Sequence, residues 1–258
     1  MPDYVNVRGH QIYSYEWENN GEACVLLHGG TSQTSHWDYT VLPSVEEDFH
    51  VYAYDRAGHG FSADQLESYH FKFQVREANA YLEEVVQEPA HLIGWSDGGI
   101  IALTIAIERP ELVKSIVAIG ANYHFSGATP IFDSWSISDE DREEYARTSP
   151  DAPETLDKKI AKMHEIWKSE PDIALSDLAK IQCPVLVLAG DDDVIKHSHT
   201  IELYEALPLG QLAIIPGTSH MVPKEKPALM NAVISQFLED LSYPVTKAPI
   251  RRTSNQPE

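Results

Sequence analysis

The 258-residue sequence predicts one α/β domain built on a largely parallel sheet, and three features carry that expectation. Short runs that are apolar at nearly every position read as strands buried on both faces. Segments of helical period separate most of them, as crossovers between parallel strands require. With 43% hydrophobic and 9% aromatic residues, the chain has apolar material enough for one large core.

Taken in order, residues 4–17 alternate apolar and polar on either side of Arg8-Gly9-His10, which predicts a hairpin. Buried strands are expected at 23–27, 50–54, 90–93, 115–119, 185–189 and 212–215. With the hairpin they make an eight-stranded sheet. Helices are expected at 71–87, 98–108, 197–206 and 226–241, covering both faces. The alternation fails between Asn122 and Ile181, where the text is helical and charged, as in Asp139-Glu-Asp-Arg-Glu-Glu-Tyr145. A structureless loop of that length is unusual in a compact domain. Its aromatics (Tyr123, Phe125, Trp135, Tyr145, Trp167) suit a helical insertion that covers something. The expected organisation is therefore a core of residues 1–121 and 182–242, a helical cap over 122–181, and a loose proline-bearing tail over 243–258.

Composition narrows the function. Nineteen Lys and Arg against forty Asp and Glu give a net charge of −21, a field that repels phosphate backbones and anionic headgroups. Neither nucleic acid nor a membrane is an expected partner. The greasiest run, 100–107, is too short to span a bilayer and is followed by Glu108 and Arg109. Met1-Pro2-Asp3-Tyr4 has none of the features of a secretory signal, so a soluble, cytoplasmic chain is expected. Cys24 and Cys183 lie in or beside strand-like segments and read as small buried hydrophobes, not a disulfide.

The strongest chemical signal is Gly94-Trp95-Ser96-Asp97-Gly98-Gly99, placed between an apolar strand and an apolar helix. That is the setting of a G-x-S-x-G elbow, where a strained turn thrusts a serine hydroxyl above the sheet edge and glycines two residues either side remove collisions. Ser96 is thus the candidate nucleophile. A serine needs a base and an orienting acid. The run 185–189 ends in Gly190-Asp191-Asp192-Asp193, and 212–215 leads into Pro216-Gly217-Thr218-Ser219-His220. These loops leave the carboxyl ends of parallel strands, so they converge on one rim. His220 is the candidate base and one of the aspartates the acid.

His28-Gly29-Gly30-Thr31 follows another strand, and its glycines let backbone approach a bound carbonyl. The Gly30 and Asp97 amides are the expected oxyanion donors. A metal site at the aspartate run is disfavoured because it lacks the alternating oxygen ligands of a calcium loop. His197 and His199 are expected to act as polar capping at a helix start, where the two rings diverge.

Together, His28-Gly-Gly, Asp55-Arg-Ala-Gly-His-Gly-Phe-Ser62, the Ser96 elbow, Gly190-Asp-Asp-Asp193 and Pro216-Gly-Thr-Ser-His220 resemble the α/β-hydrolase superfamily, over residues 4–241. The resemblance implies the α/β-hydrolase fold, a cap where 122–181 stands, and Asp193 as the acid, with Asp191 and Asp192 as fallbacks. It also implies structural roles for Arg56 and Ser62. The stretch Leu92-Ile-Gly-Trp-Ser-Asp-Gly-Gly-Ile-Ile-Ala-Leu103, with Cys183-Pro-Val-Leu-Val-Leu, is similar to the valacyclovir hydrolase, or biphenyl hydrolase-like, branch. In that branch the aspartate after the serine binds the α-amino group of amino-acid esters, a role that falls on Asp97. The other reading of Asp97 is a helix cap or an answer to the helix dipole.

The expected activity is a cofactor-independent serine hydrolase of small carboxylic esters, including amino-acid esters or thioesters, working through an acyl-enzyme. A cationic substrate is expected if Asp97 binds an amine. Two other expectations stand beside it: a carbon–carbon bond hydrolase or cofactor-free haloperoxidase with the same triad, and a non-catalytic receptor on this fold.

Overall fold

A computed structural model of the chain describes residues 2–129 and 137–251. Its strands are β1 (Asp3–Val7), β2 (His10–Trp17), β3 (Ala23–Leu27), β4 (His50–Asp55), β5 (Ala90–Trp95), β6 (Val113–Ile119), β7 (Val185–Gly190) and β8 (Gly210–Ile215). They form one sheet in the order β1-β2-β4-β3-β5-β6-β7-β8. The β1–β2 and β2–β4 pairings are antiparallel and every later pairing is parallel.

The helices are α1 (Phe71–Tyr81), α2 (Asp97–Glu108), α3 (Asp139–Thr148), α4 (Leu156–Trp167), α5 (Leu175–Leu178), α6 (His197–Ala206), α7 (Val222–Glu225) and α8 (Pro227–Glu239). Strand periodicity explains how both faces are covered. In β3, Val25 and Leu27 join a core cluster with Val75 of α1 and Ile101 of α2, while Cys24 and Leu26 join a second with Met230 and Ile234 of α8. The central strands β3, β5 and β7 are buried at every residue, as their continuous apolar runs predict.

The structure departs from expectation at two elements. β8 is an edge strand, and Leu212 and Ile214 on its outer face are 36% and 38% exposed, so this run is not buried on both faces. The helix expected over 71–87 keeps regular α geometry only to Tyr81. Leu82–Val86 widens into a π-type turn, and Gln87 ends it at φ +62°, a left-handed stop.

Between β6 and β7 the described residues hold α3, α4, α5 and short turns, with no strand. α4 is amphipathic: Leu156, Ile160 and Met163 fall on one face and pack with Tyr69. α3 buries none of its residues and starts with a capping box between Ser138 and Asp141. Trp135, one of the aromatics expected to line a cap, lies outside the described residues. In the tail, residues 243–251 carry no strand or α-helix, and the Arg251 guanidinium sits 3.9 Å over the Tyr204 ring. Both cysteines are free, Cys24 within β3 and Cys183 just before β7. Among the described residues no helix is long and apolar enough to cross a membrane.

Candidate active site

Four loops leave the carboxyl ends of β3, β5, β7 and β8 and meet at one rim. The turn after β5 is tight. Ser96 has φ +54° and ψ −118°, a conformation that costs a non-glycine residue energy and places its side chain at the head of α2. The glycines around it are sterically required: a Cβ on Gly94 would lie 2.2 Å from the Gly98 carbonyl oxygen, and one on Gly98 would lie 1.8 Å from that of Leu27. The Ser96 amide donates to the Ile119 carbonyl at 2.7 Å, tying the turn to β6.

His220 Nε2 lies 2.9 Å from Ser96 Oγ, and His220 Nδ1 lies 2.8 Å from Asp193 Oδ1. A carboxylate only accepts, so Nδ1–H donates to Asp193 and Nε2 is left to accept the Ser96 hydroxyl proton. The Asp193 side chain is fully buried, and its Oδ1 also accepts the Ile195 amide at 2.9 Å, which fixes its aim. The other aspartates of the run do different work. Asp191 Oδ1 accepts the Gly217 and Thr218 amides at 2.6 and 3.1 Å, lacing the two loops together, and those bonds hold its carboxyl below the usual range. Asp192 is exposed and contributes its amide to the Thr218 carbonyl.

The Gly30 loop is shaped from beneath. The buried Arg56 guanidinium donates to the carbonyls of His28 and of Gly29, the latter at 3.1 Å. His28 Nδ1–H donates to Gly29 at 2.8 Å and its Nε2 accepts the Arg56 amide at 3.1 Å. Burial and the Arg56 charge push this imidazole well below its ordinary value, consistent with a neutral ring that donates at one nitrogen and accepts at the other. Ser62 is likewise structural: its hydroxyl donates to Asp55 O at 2.6 Å and accepts the Tyr13 amide at 2.8 Å.

Asp97 opens α2, where amides lack intrahelical acceptors and the dipole favours a negative charge. Its side chain is buried and Oδ2 accepts the Trp167 indole N–H at 3.3 Å. Burial raises its carboxyl, against the pull of Arg56, Trp167 and His220. A cavity of about 1010 Å³ opens above these groups, walled on the sheet side by Trp95 and Ile100 and on the other by Ile160, Met163 and Trp167.

The histidines at the start of α6 correct the expectation of polar capping. No side chain caps that helix; His197 Nε2–H donates to the Gly190 carbonyl at 3.2 Å. The buried His199 ring stacks on Tyr123 at 3.9 Å and 6°, and its Nε2 accepts the Tyr123 amide at 3.3 Å. Burying an aromatic face there displaces a solvated cap. Among the described residues no three His, Cys, Asp or Glu side chains are grouped to hold a metal ion.

Two contacts were invisible to motif reading. Trp95 Nε1–H donates to the His220 carbonyl at 2.9 Å, and Trp167 covers Gly30 and Asp97 from α4. The first lies inside the elbow motif, but nothing local marks its partner 125 residues away.

The family model of the alpha/beta hydrolase family matches residues 24–233. The chain is an α/β hydrolase. Among the relatives of this hydrolase, mouse (Mus musculus) "Serine hydrolase BPHL" is 26% identical, with 91% of this chain and 85% of that protein aligned. The "Pimeloyl-[acyl-carrier protein] methyl ester esterase" of Vibrio parahaemolyticus is 31% identical over 116 residues, which span 44% of this chain and 43% of that one. The "(E)-2-((N-methylformamido)methylene)succinate hydrolase" of Acinetobacter baylyi is 23% identical over 91% of this chain and 97% of its own. In fold, the hydrolase is similar to MGS-M2, an alpha/beta hydrolase enzyme from a deep-sea metagenome library, with TM-score 0.78, 21% identity, and 94% and 99% of the two chains covered.

Proposed function

We propose that this hydrolase cleaves small carboxylic esters through an acyl-enzyme, with Ser96 as nucleophile, His220 as general base and acid, and Asp193 as the group that orients the imidazole. The observation that carries this reading is the continuous Ser96–His220–Asp193 hydrogen-bond chain at 2.9 and 2.8 Å. Ser96 Oγ attacks the ester carbonyl carbon as Nε2 takes its proton. Negative charge then develops on the carbonyl oxygen, and the Gly30 and Asp97 amides donate to it. The tetrahedral adduct collapses, the C–O bond to the alcohol breaks, and the Nε2 proton goes to the departing oxygen. Water, deprotonated by the same nitrogen, releases the acid and restores Ser96.

The 122–181 helices act as a cap, closing the cavity with apolar side chains and excluding bulk water from the serine. The net charge of −21 favours neutral or cationic substrates over anionic ones. Asp97 pairs with a substrate ammonium in this reading; the burial of its carboxyl beside the serine, where an ion pair is screened little, supports it.

A fluorophosphonate probe should label the chain at Ser96, and Ser96→Ala should abolish both labelling and p-nitrophenyl acetate turnover. Turnover that survives in the variant overturns the reading. For the amine subsite, Asp97→Ala should lower kcat/KM for an amino-acid ester about ten-fold or more beyond its effect on an uncharged ester of equal size. Equal losses leave Asp97 a structural acid.

A further inference from the structure

The space beside the Gly30 Cα, where a side chain would stand, is filled by a side chain of α4. A Cβ built on Gly30 would lie 2.4 Å from Trp167 Cζ2 and 2.7 Å from Asp97 Oδ2, so the indole edge, the Gly30 backbone and the Asp97 carboxylate are in mutual contact. Trp167 is anchored in that position. Its N–H is bonded to Asp97, and its ring packs against both the α1–α2 side of the sheet core and the α4 cluster.

Chemistry then decides which part of a substrate meets it. The departing alcohol oxygen must lie within reach of His220 Nε2 to take its proton. With the carbonyl oxygen at the Gly30 and Asp97 amides, the acyl substituent takes the remaining direction, past the Asp97 carboxylate to which Trp167 is bonded. We propose that Trp167 is the specificity-determining residue for acyl size: its indole is the end wall against which the acyl chain stops, and it keeps bulky or branched acyl groups from seating their carbonyl at the Gly30 amide. Ile160 and Met163 line the same cavity as Trp167, so shortening the indole would widen the space open to the acyl group. The assignment rests on the ester-hydrolase reading above.

The test uses the full chain with p-nitrophenyl esters, so that the leaving group is constant while the acyl group runs from acetyl through butanoyl and 2-methylpropanoyl to phenylacetyl. Trp167→Ala should raise the ratio of kcat/KM for phenylacetyl over acetyl about ten-fold or more, by admitting the larger group. Trp167→Phe, which keeps most of the bulk, should leave that ratio within about three-fold of wild type. Because Trp167 bridges two packed clusters, Trp167→Leu serves as the intermediate variant if the alanine chain does not fold, and its ratio should fall between the other two. An unchanged ratio in the alanine or leucine variant, or a uniform loss across the series, overturns the size assignment while leaving the hydrolase reading intact. A wild type that turns over none of these esters overturns both.

Discussion

The indole N–H of Trp95 donates to the backbone carbonyl of His220 at 2.9 Å, joining the residue before the elbow serine to the loop that carries the imidazole. The two rings also lie 5.8 Å apart, tilted by 39°. One side chain thus sets the distance between two loops that arise from strands at different places in the sheet.

Trp95→Phe should therefore act on catalysis more than on stability. It removes one hydrogen bond, worth about 1 kcal/mol, and keeps most of the packed ring. The His220 loop gains freedom relative to Ser96, and small misplacements of a base are costly. We expect kcat to fall about ten-fold with KM changed less than about three-fold, read from steady-state kinetics on a p-nitrophenyl ester. A variant with wild-type kcat would show that the His220 loop holds its place without this bond.

The buried ion pair of the inserted segment predicts an asymmetry. Lys159 of α4 is 5% exposed, its Nζ lies 2.7 Å from Asp151 Oδ2 and 5.0 Å from the Tyr145 ring centroid, and Asp151 also accepts the Asp64 amide at 2.8 Å. Asp151→Ala leaves the buried ammonium with only the long bond to the Gly58 carbonyl at 3.4 Å and frees the Asp64 amide, which should cost about 3–5 kcal/mol. Lys159→Met replaces a buried charge by an apolar chain of similar length and leaves Asp151 partly solvated on its remaining donor, so its cost should be nearer 1 kcal/mol. Urea midpoints of the two variants give the ranking. A lysine variant that is the less stable of the two would mean that the pair holds the segment by more than mutual compensation.

These contacts also mark where the sequence stops being legible. The strands and the elbow could be read because their causes are local: Leu92 and Ile93 are apolar on successive faces, and Gly98 stands against Leu27, where no side chain fits. The Ser96, His220 and Asp193 juxtaposition was readable through topology, since loops at one end of parallel strands must converge. Asp193 could be separated from Asp191 only by resemblance, because what distinguishes them is the direction of a carboxylate in a turn. The one-sided burial of β8 is not legible because a run such as Leu212–Ile215 looks the same at an edge as in the middle. The specific contacts of Trp167 and His199 are not legible because their partners, Gly30 and Tyr123, belong to distant segments, and no spacing rule connects an indole on one helix to a glycine after a strand.

His199 gives the pH prediction. Burial pushes its imidazole down to about 4, with His124 and Lys196 adding to the shift and Glu202 opposing it. The unfolded ring titrates near its ordinary value of about 6.5. Between those values the unfolded chain binds a proton that the folded chain refuses, so the stability supplied by the neutral ring is complete above pH 6.5 and is lost as pH falls toward 4. Lowering the pH from 7 to 5 should remove about 1–2 kcal/mol through this residue. His199→Gln keeps an acceptor for the Tyr123 amide and cannot titrate. It should be less stable at pH 7, where stacking on Tyr123 is lost, yet its stability should fall less between pH 7 and 5. Denaturant unfolding at both pH values reads this as a difference of differences, in which groups common to the two chains cancel. Should the glutamine chain lose as much stability on acidification as the wild type, the neutral ring packed on Tyr123 is not what makes the fold sensitive to acid in that window.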